Sequence, residues 1–535
     1  MASYSTKGLD HLGLVAGMNK ELNIAKIIDK ALPKQSDDKL ISYGQLVEAM
    51  ILNGLGFVGR TLHMYPQYFK ERPVERLIGK GIKAEYINDD ALGRCLDKLY
   101  ETGVSGIYQT LSASVVEHLE LPCEGINLDS TSIHVDGKYE HDDDSQAVKL
   151  VRGYSRDHRP ELNQVVLNLI TENKAGIPVY MQAASGNIND NEGFKNIVKH
   201  HISSLKAAQD SQYFIADAAL YTAQSIQSLD AQKQLFISRA PQKLKQVKEA
   251  IVRKHTLDFQ TLDNGYSAAW MESDYGEVKQ RWLLIESEQA KKREQHTLDK
   301  RMEKDSNTAL TSFKKLSRQR FSCPLDAEKA VVLWLKSHHE LAISERGILK
   351  HAIFKQSGRP KLNQQPDNYE YQITGQLHWL LKSRAQRLQE KGMFMLATND
   401  VSEKLTMEKM LSLYKSQQSV EKGFRFLKSP DFLTSSLYLK KPERIEALLM
   451  VMTCCLMVYA ALEHKIRREL KAQSVYFPNL KYKPCQNPTA RWVFFCFQGI
   501  HVLTMSDKQQ LVLNVEERNS IIINCMGSIY QKIYS

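Results

Sequence analysis

The sequence predicts an α/β chain: a mixed β-sheet with helices on both faces, interrupted by an α+β insertion and preceded by a helical domain. Three observations predict it. The apolar period is helical as far as residue 121, it changes to strand alternation at Glu124, and the strand pattern stops after Gln242 and resumes at Met393. These breaks divide the 535 residues into a helical N-terminal domain (1–121), a first core part (122–242), an insertion (243–392), a second core part (393–475) and a C-terminal segment (476–535).

In the N-terminal domain, apolar residues recur at helical spacing over 24–32, 45–55 and 91–119, the last after the capping residues Asn88, Asp89 and Asp90. Helices at such spacing form a simple bundle or contain a helix-turn-helix that binds DNA. The core opens with INLDSTSIHVDG from Ile126, followed by the Val/Leu/Ile-rich 162–171 and the short run 178–182. A helix over 191–207, the strand YFIADAAL around Asp217, a short helix and the strand LFISRAP complete it. Strand, strand, strand, helix, strand, helix, strand is the order of a ribonuclease-H-like core. The insertion reads as hairpins over 255–287, a basic helix over 291–320 and an apolar stretch over 327–336. The strand MFMLATND then leads to a helix over 407–428.

Composition sets the broad class. Hydrophobic content of 42% and charged content of 25% are those of a globular chain. Lys and Arg outnumber Asp and Glu by 72 to 61, which suits a polyanionic partner. Ten of the basic residues and only four acidic ones lie in 291–320, either a solvated helix face or a DNA contact. The eight cysteines form no C-x-x-C pair, which argues against a zinc site or a disulfide framework and for reduced thiols in a cytoplasmic protein. The N-terminus has no signal-peptide pattern, and the strongest apolar run, 447–462, is shorter than the ~20 residues that span a bilayer. No membrane partner is expected.

The chemistry rests on carboxylates. Asp129 lies within an apolar strand and Asp217 at the end of another, and an acid there costs several kcal/mol unless it is paired or binds a metal. A structural role, capping a turn or pairing with a cation, explains either one equally well. The helix around Glu421 separates the readings. Tyr414, Gln417, Glu421, Arg425 and Lys428 fall within an arc of roughly 80° at ~100° per residue, beside an apolar stripe of Leu413, Val420, Phe424 and Leu427. A surface ion pair between Glu421 and Arg425 would leave the tyrosine and lysine without a purpose.

The spacing of Tyr414, Glu421 and Lys428 resembles the tyrosine-arginine-glutamate-lysine signature of bacterial insertion-sequence DDE transposases of the insertion-sequence-four superfamily, with Gln417 where that signature has arginine. LDSTSIHVDG, GYSRDHRPELNQVVL, IADAALY and LATND resemble that family's core strands in order, and GLDHLGLVAGMNKELNIAKIIDK resembles the leading domain of its long-transposase branch. The resemblance implies a catalytic and metal-binding triad of Asp129, Asp217 and Glu421 holding two Mg²⁺ ions, with Mn²⁺ as a substitute. It also implies DNA contacts at Tyr414, Gln417, Arg425 and Lys428. The implied partners are double-stranded DNA, as the element's terminal inverted repeats and as target, and a second copy of the chain on paired ends. The implied setting is the bacterial or archaeal cytoplasm, at the nucleoid when bound. A ribonuclease-H-like nuclease without strand transfer and a non-catalytic DNA-binding descendant are the alternatives.

Other acids and metal-like residues have simpler readings. Asp136, seven residues past Asp129, points to the opposite strand face. His134, His141 and Asp142 to Asp144 read as a solvated loop, His200 and His201 as a polar helix end, and Asp190 and Asp400 as helix caps. Trp270 and Trp282 either pack in the insertion's core or, as the resemblance implies, stack on a flipped base.

Overall fold

The computed structural model describes residues 4–36, 39–57, 62–122, 124–135, 139, 147–154, 159–188, 212–355, 364–418, 423–424, 427–428, 439–505 and 509–535. Glu421, Arg425, Asp136, His141, Asp142 to Asp144, Asp190, His200, His201, Cys123 and the helix expected over 191–207 lie outside these residues. The chain divides into two compact units, one of 1–239, 273–280 and 397–535, the other of 240–272 and 281–396. The N-terminal helices and the C-terminal segment, separate domains in the sequence reading, belong to the same unit as the core.

In the larger unit the helices are α1 (Leu12–Glu21), α2 (Ile24–Ala31), α3 (Tyr43–Leu55), α4 (Asp89–Thr102) and α5 (Val104–His118). The Asn88 side chain accepts from the Ala91 amide and starts α4, as its sequence position predicts. The single helix expected over 91–119 is two, because Gly103 takes φ 98°, a conformation that a helix interior excludes. A Ser42/Gln45 capping box starts α3. None of its residues from Tyr43 to Leu55 is exposed. α3 therefore has no free face with which to read a DNA groove.

The core strands are β2 (Gly125–Val135), β3 (Asn163–Glu172), β4 (Pro178–Ser185), β5 (Tyr213–Ala216) and β6 (Leu235–Ala240), after a short β1 (Ser5–Gly8) near the N-terminus. They lie in the order β4-β3-β2-β5-β6. β2 to β4 pair antiparallel, whereas β2, β5 and β6 run parallel, the latter two joined through helix α6 (Ala223–Ala231). This mixed order, three antiparallel strands followed by parallel ones, is the ribonuclease-H-like arrangement. Apolar side chains leave both faces of β3 and β5 covered, so the sheet lies between layers.

Helix α10 (Pro442–Ala472) packs against α1, α3, α4, α5 and β4. At 31 residues it is long enough to cross a bilayer, contrary to the 16-residue expectation, and its most apolar window has a mean hydropathy of 2.2. Burial identifies it as a core helix, since 78% of that window is covered by protein. The Arg444 guanidinium grips both Asp97 oxygens at 2.7 Å, which fastens α10 to α4. The Lys465 ammonium lies 2.6 Å from Glu21, whose other oxygen accepts from the Tyr530 hydroxyl at 2.8 Å. Burial opposes the Glu21 charge, but these partners and His118 hold its carboxyl below the ordinary range. The cysteines of α10, Cys454 and Cys455, are buried free thiols, and burial pushes Cys454 up to about 12.

In the smaller unit β7 (Gln260–Leu262), β8 (Tyr266–Ser273) and β9 (Gln280–Ser287) form the expected hairpins, followed by the basic helix α7 (Glu288–Arg318) and α8 (Pro324–Ser337). α7 buries only one stripe, of Leu298, Met302, Ala309 and Phe313. A long hairpin of β10 (Leu341–Ile353) and β11 (Asn368–Trp379), which the sequence reading does not contain, packs on α7 and α8. Trp282 is 1% exposed, a core residue. Trp270 is half-buried, with the Arg281 guanidinium 3.9 Å above its ring.

Glu48 on α3 is 5% exposed, and burial raises its carboxyl to about 7 against the pull of Lys20. Between its ordinary value of 4.5 and about 7, the folded chain keeps a proton that the unfolded chain has lost. Stability therefore falls as pH rises through that window. Glu48→Gln should flatten this dependence and unfold at higher urea than the parent at about pH 8, by up to about 3 kcal/mol, with little difference at about pH 4.

Candidate active site

Two of the three predicted carboxylates follow directly on one stretch of paired strand. β2 and β5 are parallel neighbours in which Gly125 faces Tyr213 and Leu128 faces Ala216, an offset of 88 residues. Asp129 and Asp217 are separated by the same offset: Asp129 is the residue of β2 just past this register and Asp217 the first residue after β5. Both are half-buried at the point where an otherwise covered strand opens to solvent. Each has one oxygen held by a nearby amide: Ser130 N–H donates to Asp129 Oδ1 and Ala219 N–H to Asp217 Oδ1, both at 2.8 Å. The Asp217 carbonyl also accepts from Ser238 Oγ of β6 at 2.8 Å, which pins the turn after β5.

The helix expected over 407–428 begins as predicted but is not one regular run. Helix α9 (Met407–Lys415) is capped by Thr406 and buries Met407, Met410, Leu411 and Leu413. At Ser416 and Gln417 the backbone tightens, since the Gln417 amide bonds to Tyr414 O, three residues back rather than four. The regular ~100° phase is therefore interrupted between Tyr414 and Gln417. Gln417 is 8% exposed, and Tyr414 and Lys428 are half-buried. Beyond residues 419–422 the chain is helical again at Gly423 and Phe424, and the Lys428 amide bonds to Phe424 O. A Cβ on Gly423 would stand 2.9 Å from Leu456, so α10 is approached closely here.

Residues that the sequence reading passed over attach this segment to the sheet. Ser416 Oγ lies 3.2 Å from Asn127 Oδ1. Asn127 is fully buried and precedes Asp129 by two residues, so it shares that strand face. Asp400 is not the cap of the next helix; Thr406 takes that position. Asp400 is 6% exposed, accepts from the Tyr213 hydroxyl at 2.5 Å and turns the chain by accepting from the Ser402 amide at 2.9 Å. Next to it Asn399 accepts from Phe236 N–H at 3.0 Å and donates to Gln234 O at 3.1 Å. A buried polar residue in a strand is the only sequence signal for Asn127. Among the described residues no three His, Cys, Asp or Glu converge as a metal site, and Glu421 is not among them.

Residues 124–458 match the family described as the transposase DDE domain, a span that runs from the first part of the core through the insertion into the second part. This chain belongs to that family. The N-terminal part of the transposase, residues 4–113, matches a domain of unknown function, DUF4277. No curated protein matches the chain. Among solved structures, the transposase is similar to the piggyBac transposase in its synaptic complex with hairpin DNA, at 9% identity and a TM-score of 0.37, covering 98% of this chain and 80% of that one.

The Tyr213 to Asp400 bond joins the strand before Asp217 to the loop before α9. Tyr213→Phe should leave Asp400 buried with one partner fewer and lower unfolding stability by about 1–3 kcal/mol, read from urea denaturation.

Proposed function

We propose that this transposase cleaves DNA strands at the ends of its own insertion sequence and joins the freed 3′-hydroxyls to target DNA, with Asp129, Asp217 and Glu421 as its catalytic carboxylates. The observation that supports the reading is the parallel register of β2 and β5, which runs to Leu128 and Ala216, the residues just before Asp129 and Asp217. Two acids brought close together repel unless a cation lies between them. Carboxylate oxygens are the hard donors that suit Mg²⁺, or Mn²⁺ in its place. Such ions, when bound, would activate the attacking water or hydroxyl and steady the leaving oxygen.

The chain's own residues would do the rest. The amides of Ser130 and Ala219 hold the two aspartates in fixed rotamers, and Ser416 on Asn127 supports the approach to the Glu421 segment. Tyr414, Gln417, Arg425 and Lys428 would contact phosphates. For Gln417 that contact requires local movement, because it is buried, and an amide supplies a hydrogen bond without the charge of an arginine. The signature spacing supports membership of the insertion-sequence-four superfamily and its long branch. That membership carries with it a homodimer on paired ends and a bacterial or archaeal cytoplasmic setting.

The test is incubation with Mg²⁺ and DNA bearing the inverted repeats that flank the gene. Cleaved ends and strand-transfer products are expected, with Asp129→Asn, Asp217→Asn and Glu421→Gln each reducing both to background while end binding persists. Chelation should do the same reversibly. Cleavage without joining would replace this reading with a nuclease, and binding without cleavage with a DNA-binding descendant.

A further inference from the structure

The segment after α10 is unlike the rest of the chain in charge. Between Glu469 and Asp507 there is no acidic residue, while Lys471, Lys481, Lys483 and Arg491 lie there. The two acids just before it are already paired, Glu463 with Arg467 at 2.6 Å and Glu469 with Arg468 at 2.9 Å. In the same stretch β13 (Phe477–Pro478) and β14 (Pro484–Cys485) make a small hairpin, followed by helix α11 (Ala490–Cys496).

This module presents large apolar side chains to solvent. Tyr476, Leu480, Tyr482 and Phe495 are 55%, 73%, 78% and 59% exposed. Trp492 stacks on Phe495 with ring centroids 5.6 Å apart, and its Nε1 donates to Pro478 O at 2.7 Å, which joins helix to hairpin. Scattered exposed aromatics need no explanation, but this many on one short module mark a binding surface. The module is also rigid. Asn479 Oδ1 accepts from the amides of Lys481 and Lys483 at 2.8 and 3.1 Å, and Phe477 beneath is fully buried. Tyr482 has φ 57°, a left-handed conformation unusual for a tyrosine.

We propose that the hairpin 477–485 and helix α11 form a docking surface for single-stranded DNA, with Leu480, Tyr482, Trp492 and Phe495 receiving unpaired bases and Lys481, Lys483 and Arg491 the adjoining phosphates. Aromatic faces between cations are the chemistry that binds a strand whose bases are unstacked, whereas a duplex hides those faces. A second copy of the same surface fits less well, because a two-fold contact would set its cations against each other with no acid between them. The inference rests on the transposase reading only in taking DNA as the partner.

The experiment is fluorescence anisotropy of the full chain in chelator with a fluorescein-labelled oligonucleotide, as a single strand and as a duplex. Leu480→Ala/Tyr482→Ala and Phe495→Ala should each weaken single-strand binding about tenfold and duplex binding much less. Lys481→Gln/Lys483→Gln should reduce the slope of log affinity against log salt by roughly 1.4 on the single strand. All these side chains are exposed, so unchanged thermal unfolding is expected of every variant. Single-strand affinity and salt slope equal to the parent's would overturn the inference, and so would equal losses on both probes. Loss of self-association with DNA affinity intact would assign the surface to a second copy instead. A parent that binds the strand yet cuts no element ends would count against the proposed activity and leave this surface standing.

Discussion

The larger unit depends on the burial of one helix, Pro442–Ala472. Its apolar residues run around most of its circumference, so no single partner can cover it. Helices α1, α3, α4 and α5 cover it from the N-terminal part of the chain, β4 from the sheet and α11 from the C-terminal part. The polar fastenings are few and specific: Arg444 on Asp97, and Lys465 on Glu21 with Tyr530. Removing one partner of the buried Lys465 pair leaves a charge without compensation, which is why such pairs fix arrangement more than they add stability. The consequence for function is mechanical. Gly423 lies against this helix, and Leu427 and Phe424 belong to the same apolar core.

The sheet supplies a second constraint. Side chains on a strand alternate, and parallel register sets which residues stand level. With β2 and β5 buried, register cannot slip by one residue without driving apolar side chains into solvent. Burial of Ile126, Leu128, Phe214 and Ile215 thus holds the register that leads up to Asp129 and Asp217. Precision at the candidate site comes from hydrophobic packing several residues away.

Much of this was legible in the sequence. The core strands are short apolar runs buried on both faces, the easiest strand signal to read, and Asn88 marked its helix correctly. What was not legible has identifiable reasons. β10 and β11 form a two-stranded ribbon whose residues are mostly half-exposed, with Glu345, Arg346, Lys350 and Glu370 among them, so no clean alternation appears. The length of α10 was underread because its ends are charged, and charge there reflects helix ends at the protein surface. The tightening at Ser416 has no sequence mark, since serine and glutamine fit a regular helix as well. Of the candidate site, the two aspartates were readable as acids in apolar strands. Asn127 was not, because a single buried amide resembles any other polar residue until its partner is known.

The pairing of β1 (Ser5–Gly8) with β15 (His501–Thr504), itself joined to β16 (Gln510–Leu513), has a consequence for how the chain is made. β1 leaves the ribosome about 500 residues before its partner, on the order of 25–100 s at ordinary synthesis rates. Until then α1 and α3 have emerged without α10, and their apolar sides are open. Early helices must wait in a loosely formed state that a chaperone can hold and a protease can remove. A chain broken off before α10 would leave those apolar sides open.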